Sequence, residues 1–250
     1  PHFRDTTFRA AYPFAEVGFA DPACPCEVRL SAFNPFIPLE DRDSGIPAAF
    51  LTYEVTNRGT CPLAITLCAT LGNPLPGPQI HAHSIDAPLK QLHFTTQGVP
   101  ADDPAWGELT LATDAPRVSV QDYGFRGGWF DALEILMRDL GTPGELEPRT
   151  YTTEQAGKDN HGTLAAHFDL APGASHRVRF LIAWNFPTRE NDWNKSAAAA
   201  AEARASAAQR QAADGAHVVL ELRSDCAFGR PVAGIVNARG HFIEQHVIAD

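Results

Sequence analysis

The side chains in this chain with the means to do chemistry are paired carboxylates, closely spaced histidines and cysteines, and a few tryptophans. Acid–base work by two carboxyl groups needs one held neutral by apolar surroundings and the other kept ionised. Asp131 and Glu134 stand at i,i+3, but on the polar side of a predicted helix, where Arg138 keeps Glu134 ionised. Asp41 with Asp43, Asp102 with Asp103, and Glu145 with Glu147 fall in stretches rich in proline and glycine. Each of these pairs reads as solvated surface. Cys24-Pro25-Cys26 invites a metal or redox reading, yet a structural zinc site takes four ligands from C-x2-4-C pairs. The C-x-C spacing here has no matching second pair, so both thiols read as packing residues. His81 and His83 would share one face of a strand and could ligate together with His93. Nothing in the sequence places a further Cys, Asp or His to complete the set, and no metal or cofactor is expected. There is no G-x-S-x-G elbow, Walker loop, G-x-G-x-x-G after a strand, or H-E-x-x-H. Gly127-Gly128 lacks the Lys and the repeated glycines of a phosphate cradle and reads as a flexible entry to the helix. Trp106 and Trp129 carry flat rings that stack on a sugar, pack in a core or pack against another domain; the residue types leave these uses open.

The elements that must position those groups are mostly strands. Alternating or β-branched runs bounded by turn residues recur at 14–19, 27–33, 48–56, 63–71, 92–96, 108–112 and 118–121. Phe50 to Thr56 is the clearest, and it runs into Asn57-Arg58-Gly59-Thr60, turn chemistry of the hairpin kind. Two more runs, 163–170 and 176–184, flank Pro172-Gly173. Only Gly128 to Leu140 changes period: Trp129, Leu133, Leu136, Met137 and Leu140 share one helical face, and Gly141 and Pro143 stop the helix. Successive strands joined by short turns predict antiparallel sheets, and so many strands need two layers to bury their apolar faces. The expected fold is an all-β, two-layer antiparallel β-sandwich with one short inserted amphipathic helix.

Composition narrows the partners. With 44% hydrophobic residues and 20% charged ones, the chain can bury a core. The 30 acidic residues against 20 basic ones give a formal charge of −10. A phosphate-binding surface needs clustered Lys and Arg, and the densest group is Arg177 with Arg179, so nucleic acid is not an expected partner. No segment approaches the roughly 20 apolar residues that span a bilayer. Five cysteines form an odd, scattered set unlike a secreted disulfide framework, which points to a reducing, cytoplasmic setting. The chain starts at Pro1 without a Met, so a preceding signal segment stays open.

Three segments together carry a resemblance. The first is Tyr12-Pro13-Phe14-Ala15-Glu16-Val17 with Asp21-Pro22, then Ala32-Phe33-Asn34-Pro35-Phe36-Ile37-Pro38-Leu39 and Asp43-Ser44-Gly45-Ile46-Pro47-Ala48. The second is Phe125-Arg126-Gly127-Gly128-Trp129-Phe130-Asp131, and the third is Leu181 to Arg189 with Trp193. In this order, over residues 12–193, they resemble the N-terminal domain of glycoside hydrolase family 116, which includes β-glucosidases and the non-lysosomal glucosylceramidase. Gly45 departs from the pattern, which more often has a second Ser or a similar residue there. The resemblance implies a two-sheet β-sandwich that packs against a large C-terminal (α/α)6 barrel. The family's enzymes are retaining β-glycosidases whose acid/base and nucleophile belong to that barrel, so no catalytic residue is assigned in this chain. The partner implied is the absent barrel, with β-glucosides as the parent's substrates. Trp106, Arg126, Trp129 and Phe130 are the candidate binding residues, as a sugar platform or a domain interface. The alternative reading is a stand-alone sandwich that binds carbohydrate or protein.

After Trp193 the character changes. Ser196 to Ala213 is alanine-rich with no Leu, Ile, Val or Phe, which predicts a loosely attached helix. His217 to Leu222 predicts a strand. The expected division is a sandwich over 1–193 and an atypical tail over 194–250. Two explanations stand for the tail: a truncated or frame-shifted product, or a natural stand-alone domain.

Overall fold

The computed structural model describes residues 3–126, 131–141, 145–151, 160–188, 216–224, 232–237 and 242–247, with the backbone alone for 131–133 and the last three segments. The strands β1 (Asp5–Ala11), β2 (Phe14–Ala20), β3 (Cys26–Phe33), β4 (Ala48–Asn57), β6 (Gln79–Ser84), β7 (Lys90–Thr96), β8 (Glu108–Thr113) and β11 (Ser175–Asn185) form one sheet in the order β1-β2-β3-β4-β11-β8-β7-β6. A second sheet runs β14-β13-β12-β5-β10-β9, from β5 (Leu63–Gly72), β9 (Val118–Gln121), β10 (His161–Leu170), β12 (Ala216–Ser224), β13 (Val232–Asn237) and β14 (Phe242–Val247). Every described pairing is antiparallel, as the short connections require.

Alternation decides what faces inward. On β4 the inward set is Leu51, Tyr53, Val55 and Asn57; on β11 it is Val178, Phe180 and Ile182. These meet Leu63, Ile65, Leu67 and Leu71 of β5 and Leu164 and Ala166 of β10 in one core between the sheets. Phe94 and Phe180 are among the largest side chains sealed in it. Each such ring contributes about 2–3 kcal/mol by leaving water.

The turn after β4 differs from its sequence reading. β4 and β5 lie in different sheets, so Asn57 to Cys61 carries the chain between layers and closes no hairpin. Gly59 keeps an ordinary φ, and Asn57 shapes the turn through its side chain. The 171–174 turn also crosses between layers, with Gly173 at φ +74, a conformation that glycine adopts without strain. The two crossings hold each other: Gly173 N donates to Asn57 O and Asn57 N donates to Ala174 O, both at 3.0 Å.

The predicted amphipathic helix is present as α2 (Asp131–Gly141), preceded by a four-residue helix, α1 (Asp41–Ser44), that has no apolar period to announce it. Met137 and Leu140 lie with Leu146 on Cys68 and Ala165, on the outer face of the smaller sheet. That face is otherwise polar. Thr66 and Ser119 engage the two ring nitrogens of His167 at 3.0 and 2.7 Å, and Leu146 N donates to Ser119 Oγ at 3.0 Å. Gln121 donates to Asp139 and to Glu147 O, and Arg149 pairs with Asp139 at 2.6 Å. The serine–histidine contact looks like a nucleophile with its base, but Ser119 and His167 are buried, so the trio serves as an internal tie. The expected alanine-rich helix at 196–213 lies outside the described residues.

Candidate functional site

Strand register brings the described parts of the three family-like segments, Asp21-Pro22 excepted, to one end of the sandwich. Phe14 pairs with Phe33, Phe33 with Phe50, Ala48 with Ala183, and Asn185 with Glu108. In the second sheet, Gln121 pairs with Thr163 and His161 with Gly72. Asn73 Nδ2 donates to Thr95 O across the layers, which places these strand ends together. The 34–47 loop, the Trp106 turn, the 122–126 loop and the 185–188 exit therefore share an end. The opposite end holds the tight 57–62 and 171–174 crossings.

At the shared end, Arg126 anchors a polar and aromatic cluster. Its guanidinium lies 4.5 Å from the Tyr123 ring centroid and 4.4 Å from that of Tyr151, within cation–π range of both. Arg126 Nε donates to Asn160 Oδ1 at 2.9 Å, and its backbone N donates to Tyr151 Oη at 3.1 Å. Tyr123 stacks on His81 with centroids 4.4 Å apart and planes 12° apart, and its hydroxyl accepts from His81 N at 2.9 Å. His81 Nδ1 donates to Asp122 O at 2.5 Å, and His83 Nδ1 donates to the Asp122 carboxylate at 2.7 Å. Gly124 fits because any Cβ there would run into the His161 ring. Burial holds the His81 imidazole down at about 4, against a rise from its bond to Asp122 O and with smaller depressions from Arg126 and His161. His81 is therefore a neutral acceptor at Nε2, an atom with no partner among the described residues.

The second feature of this end is exposed apolar surface. Phe33 and Phe50 stack at 4.8 Å and Phe14 lies 5.9 Å from Phe33, a ladder on the outer face of the larger sheet. Tyr12 meets Phe36 edge-on at 5.1 Å, and Ile37, Leu39 and Ile46 continue the surface. Leu39 is wholly exposed at φ +68, a region that leucine rarely occupies. The loop holds it there with its own bonds: Ile37 N donates to Ser44 Oγ at 2.9 Å, Ser44 Oγ donates to Ile37 O at 3.0 Å, and Glu40 N donates to Ile37 O at 3.0 Å. Because leucine is strained there and glycine is not, Leu39→Gly is expected to raise the unfolding free energy by about 0.5–1 kcal/mol despite removing an apolar side chain. Urea unfolding of the two chains checks it, and a loss of stability would mean that Leu39 packs on its own fold.

Of the predicted binding residues, Arg126 stands at the centre of the cluster. Trp106 is half-buried in the turn before β8, its N donating to Asp103 O at 2.9 Å, with Phe186 packed over the adjacent Gly107. Trp129 and Phe130 lie outside the described residues. Sequence reasoning missed Tyr123, Tyr151, Asn160 and His81 as Arg126's surroundings, since they come from four places in the chain. No group of three or more candidate metal ligands occurs among the described residues. His93 faces away from His81 and His83, towards Thr110 and Glu108. Cys24 and Cys26 are free thiols pushed up by burial to about 11 and about 12, which suits packing and not redox exchange. Cys61 is disulfide-bonded, a linkage that the scattered cysteines did not announce. No described helix is long and apolar enough to cross a membrane.

Fold and site together define an antiparallel β-sandwich whose long loops, aromatic ladder and arginine cluster gather at one end. The chain belongs to the N-terminal domain family of glycoside hydrolase family 116: the family described as "beta-glucosidase 2, glycosyl-hydrolase family 116 N-term" matches residues 2–218. No curated protein matches it. Among solved structures it is similar to a putative kojibiose phosphorylase from human microbiome, with 8% identity over 80% of this chain and 21% of that one, at a TM-score of 0.36. It is also similar to the heparan sulfate lyase HepC from Pedobacter heparinus, with 9% identity over 98% of this chain and 28% of that one, at a TM-score of 0.33. The chain thus spans less than a third of either protein.

Proposed function

We propose that this chain is the non-catalytic sandwich of a β-glucosidase or glucosylceramidase-like enzyme, bracing a C-terminal (α/α)6 barrel that carries the acid/base and the nucleophile. The observation that supports it most is the apolar end face, where an internally bonded loop holds Leu39 out beside Phe36, Ile37, Ile46 and Tyr12. A contiguous exposed apolar surface of this kind suits a protein interface, and a strained, pre-set leucine suits an anchor in a partner's pocket. Arg126 and Trp106, at the same end of the sandwich, are interface residues in this reading, as are Trp129 and Phe130, which lie outside the described residues. The domain boundary in this reading falls at the composition break after Trp193, beyond which the tail lends three strands to the smaller sheet. β-Glucosides are then substrates of the parent and not ligands of this chain, and a cytoplasmic site is proposed with it on the free thiols of Cys24 and Cys26, the Cys61 disulfide counting against it. The chain alone is expected to show no turnover of an aryl β-glucoside, and measurable hydrolysis by pure protein would overturn the reading. Titration with cello-oligosaccharides, followed by tryptophan fluorescence, is expected to give no saturable change. A saturable change would favour a carbohydrate-binding sandwich instead.

A further inference from the structure

We propose that this chain pairs with a second copy of itself, strand to strand along β1, so that two larger sheets become one. β1 is the outermost strand of its sheet, and all seven of its residues are exposed. Its register with β2 runs unbroken from Asp5 opposite Ala20 to Ala11 opposite Phe14. The strand therefore has no bulge, and its sequence DTTFRAA has neither proline nor lysine, the usual guards of an open edge. The other edge of the same sheet is covered: on β6, Tyr123 Oη takes up His81 N, and Asp122 binds both His81 and His83. Nothing among the described residues does this for β1.

The charges on β1 select a second copy as the occupant. Asp5, Thr7 and Arg9 alternate along one face of the strand. When two copies meet antiparallel about Thr7, each Asp5 lies opposite the other copy's Arg9, giving two cross-strand ion pairs from one short strand. Centring the pair on Phe8 would set Asp5 against Ala11 and leave the charges unmatched. The chosen register also lays each Phe8, 69% exposed in the single chain, beside Thr6 of its twin. A chain of formal charge −10 repels its own copies in general, so a strand with one acidic and one basic residue is a natural place for them to meet. The contact is isologous and closes on itself, as a two-fold pair must.

Sedimentation equilibrium of the whole chain, over a range from low to high micromolar, tests this. The unaltered chain is expected to dimerise. Asp5→Arg or Arg9→Asp alone places like charges opposite each other twice and is expected to weaken the dimer by about tenfold or more in Kd. Asp5→Arg with Arg9→Asp exchanges the two signs and is expected to restore it. Arg9→Asp also faces Glu16 on β2, so its fold is checked by circular dichroism; Asp5→Arg, opposite Ala20, has no such neighbour. An unaltered chain that stays monomeric overturns the proposal, as do single reversals that dimerise normally or a double exchange that restores nothing. A dimer insensitive to the β1 charges but abolished by Leu39→Asp would place the contact at the apolar end and overturn it equally.

Discussion

Between pH 6.5 and pH 4 the chain is expected to lose about 3 kcal/mol of unfolding free energy through His81 alone. In the fold, burial holds this imidazole from its ordinary 6.5 down to about 4, so it stays neutral, with Nδ1 donating to Asp122 O. In the unfolded chain it takes up a proton below 6.5. The unfolded state therefore binds more protons throughout that window, and stability falls as the pH falls. Below about 4 both states are protonated and the loss stops growing. The variant His81→Asn keeps a neutral donor for Asp122 O but cannot titrate. Urea unfolding of both proteins at pH 7, 5.5 and 4 isolates the term, because every other histidine is common to the two. The unaltered chain should lose more than the variant by about 3 kcal/mol, and equal losses would show that His81 is hydrated in the fold.

The same proton has a local consequence. His81 stacks on Tyr123, and Tyr123 lies under Arg126, so a charge on the imidazole confronts the guanidinium through a shared ring. The 122–126 loop is the part of the sandwich expected to loosen first in acid. It lies at the same end of the sandwich as the proposed docking face, on the β6 flank, with β11, β8 and β7 between it and the β3–β4 loop.

What could be read from sequence and what could not divide along physical lines. Phe50 to Thr56 alternates because one face of β4 is buried and the other is not, and that periodicity is local information. The destination of the next strand is not local. Asn57-Arg58-Gly59-Thr60 has residues suited to a hairpin, and only the pairing of β5 with β10 and β12 sends the chain into the other sheet. β1 left little trace because it buries nothing: a strand with no covered face has no reason to alternate. β6 was obscured for the opposite reason, since its one buried position is His81, a polar residue bonded, like the exposed His83 on the same face, to a loop some forty positions later. At the candidate site, Arg126 could be picked out from its place in a family-like segment. Its partners Tyr151 and Asn160 could not, because they reach it through folding and not through spacing. Leu39 was visible as part of an apolar run, but such a run gives no sign that its end is held out in water.

Replacing Asn57 is expected to cost more than any surface change, because one amide there closes both crossings between the layers. Asn57 is fully buried, Nδ2 donates to Cys61 O at 2.8 Å and Leu170 O at 3.0 Å, and Oδ1 accepts from Gly59 N at 2.8 Å. Leucine has about the right volume and none of these bonds, so Asn57→Leu strands two carbonyls and one amide away from water. Each such loss costs about 1–3 kcal/mol, and with partial relaxation the total is expected near 3–4 kcal/mol. Asn57→Asp separates shape from donation. Its carboxylate can still accept from Gly59 N, but it faces two carbonyl oxygens with no hydrogen to offer, so its folded-state pKa must rise. The unfolded chain then loses its proton first, so relative to the unaltered chain the variant is expected to be weakest at pH 7 and to recover towards pH 4, when a protonated carboxyl can donate again. Asn57→Leu has no group to titrate and should show no such recovery relative to the unaltered chain. If both variants lose less than about 1 kcal/mol in urea unfolding at pH 7, the two crossings are held by the surrounding core and not by this amide.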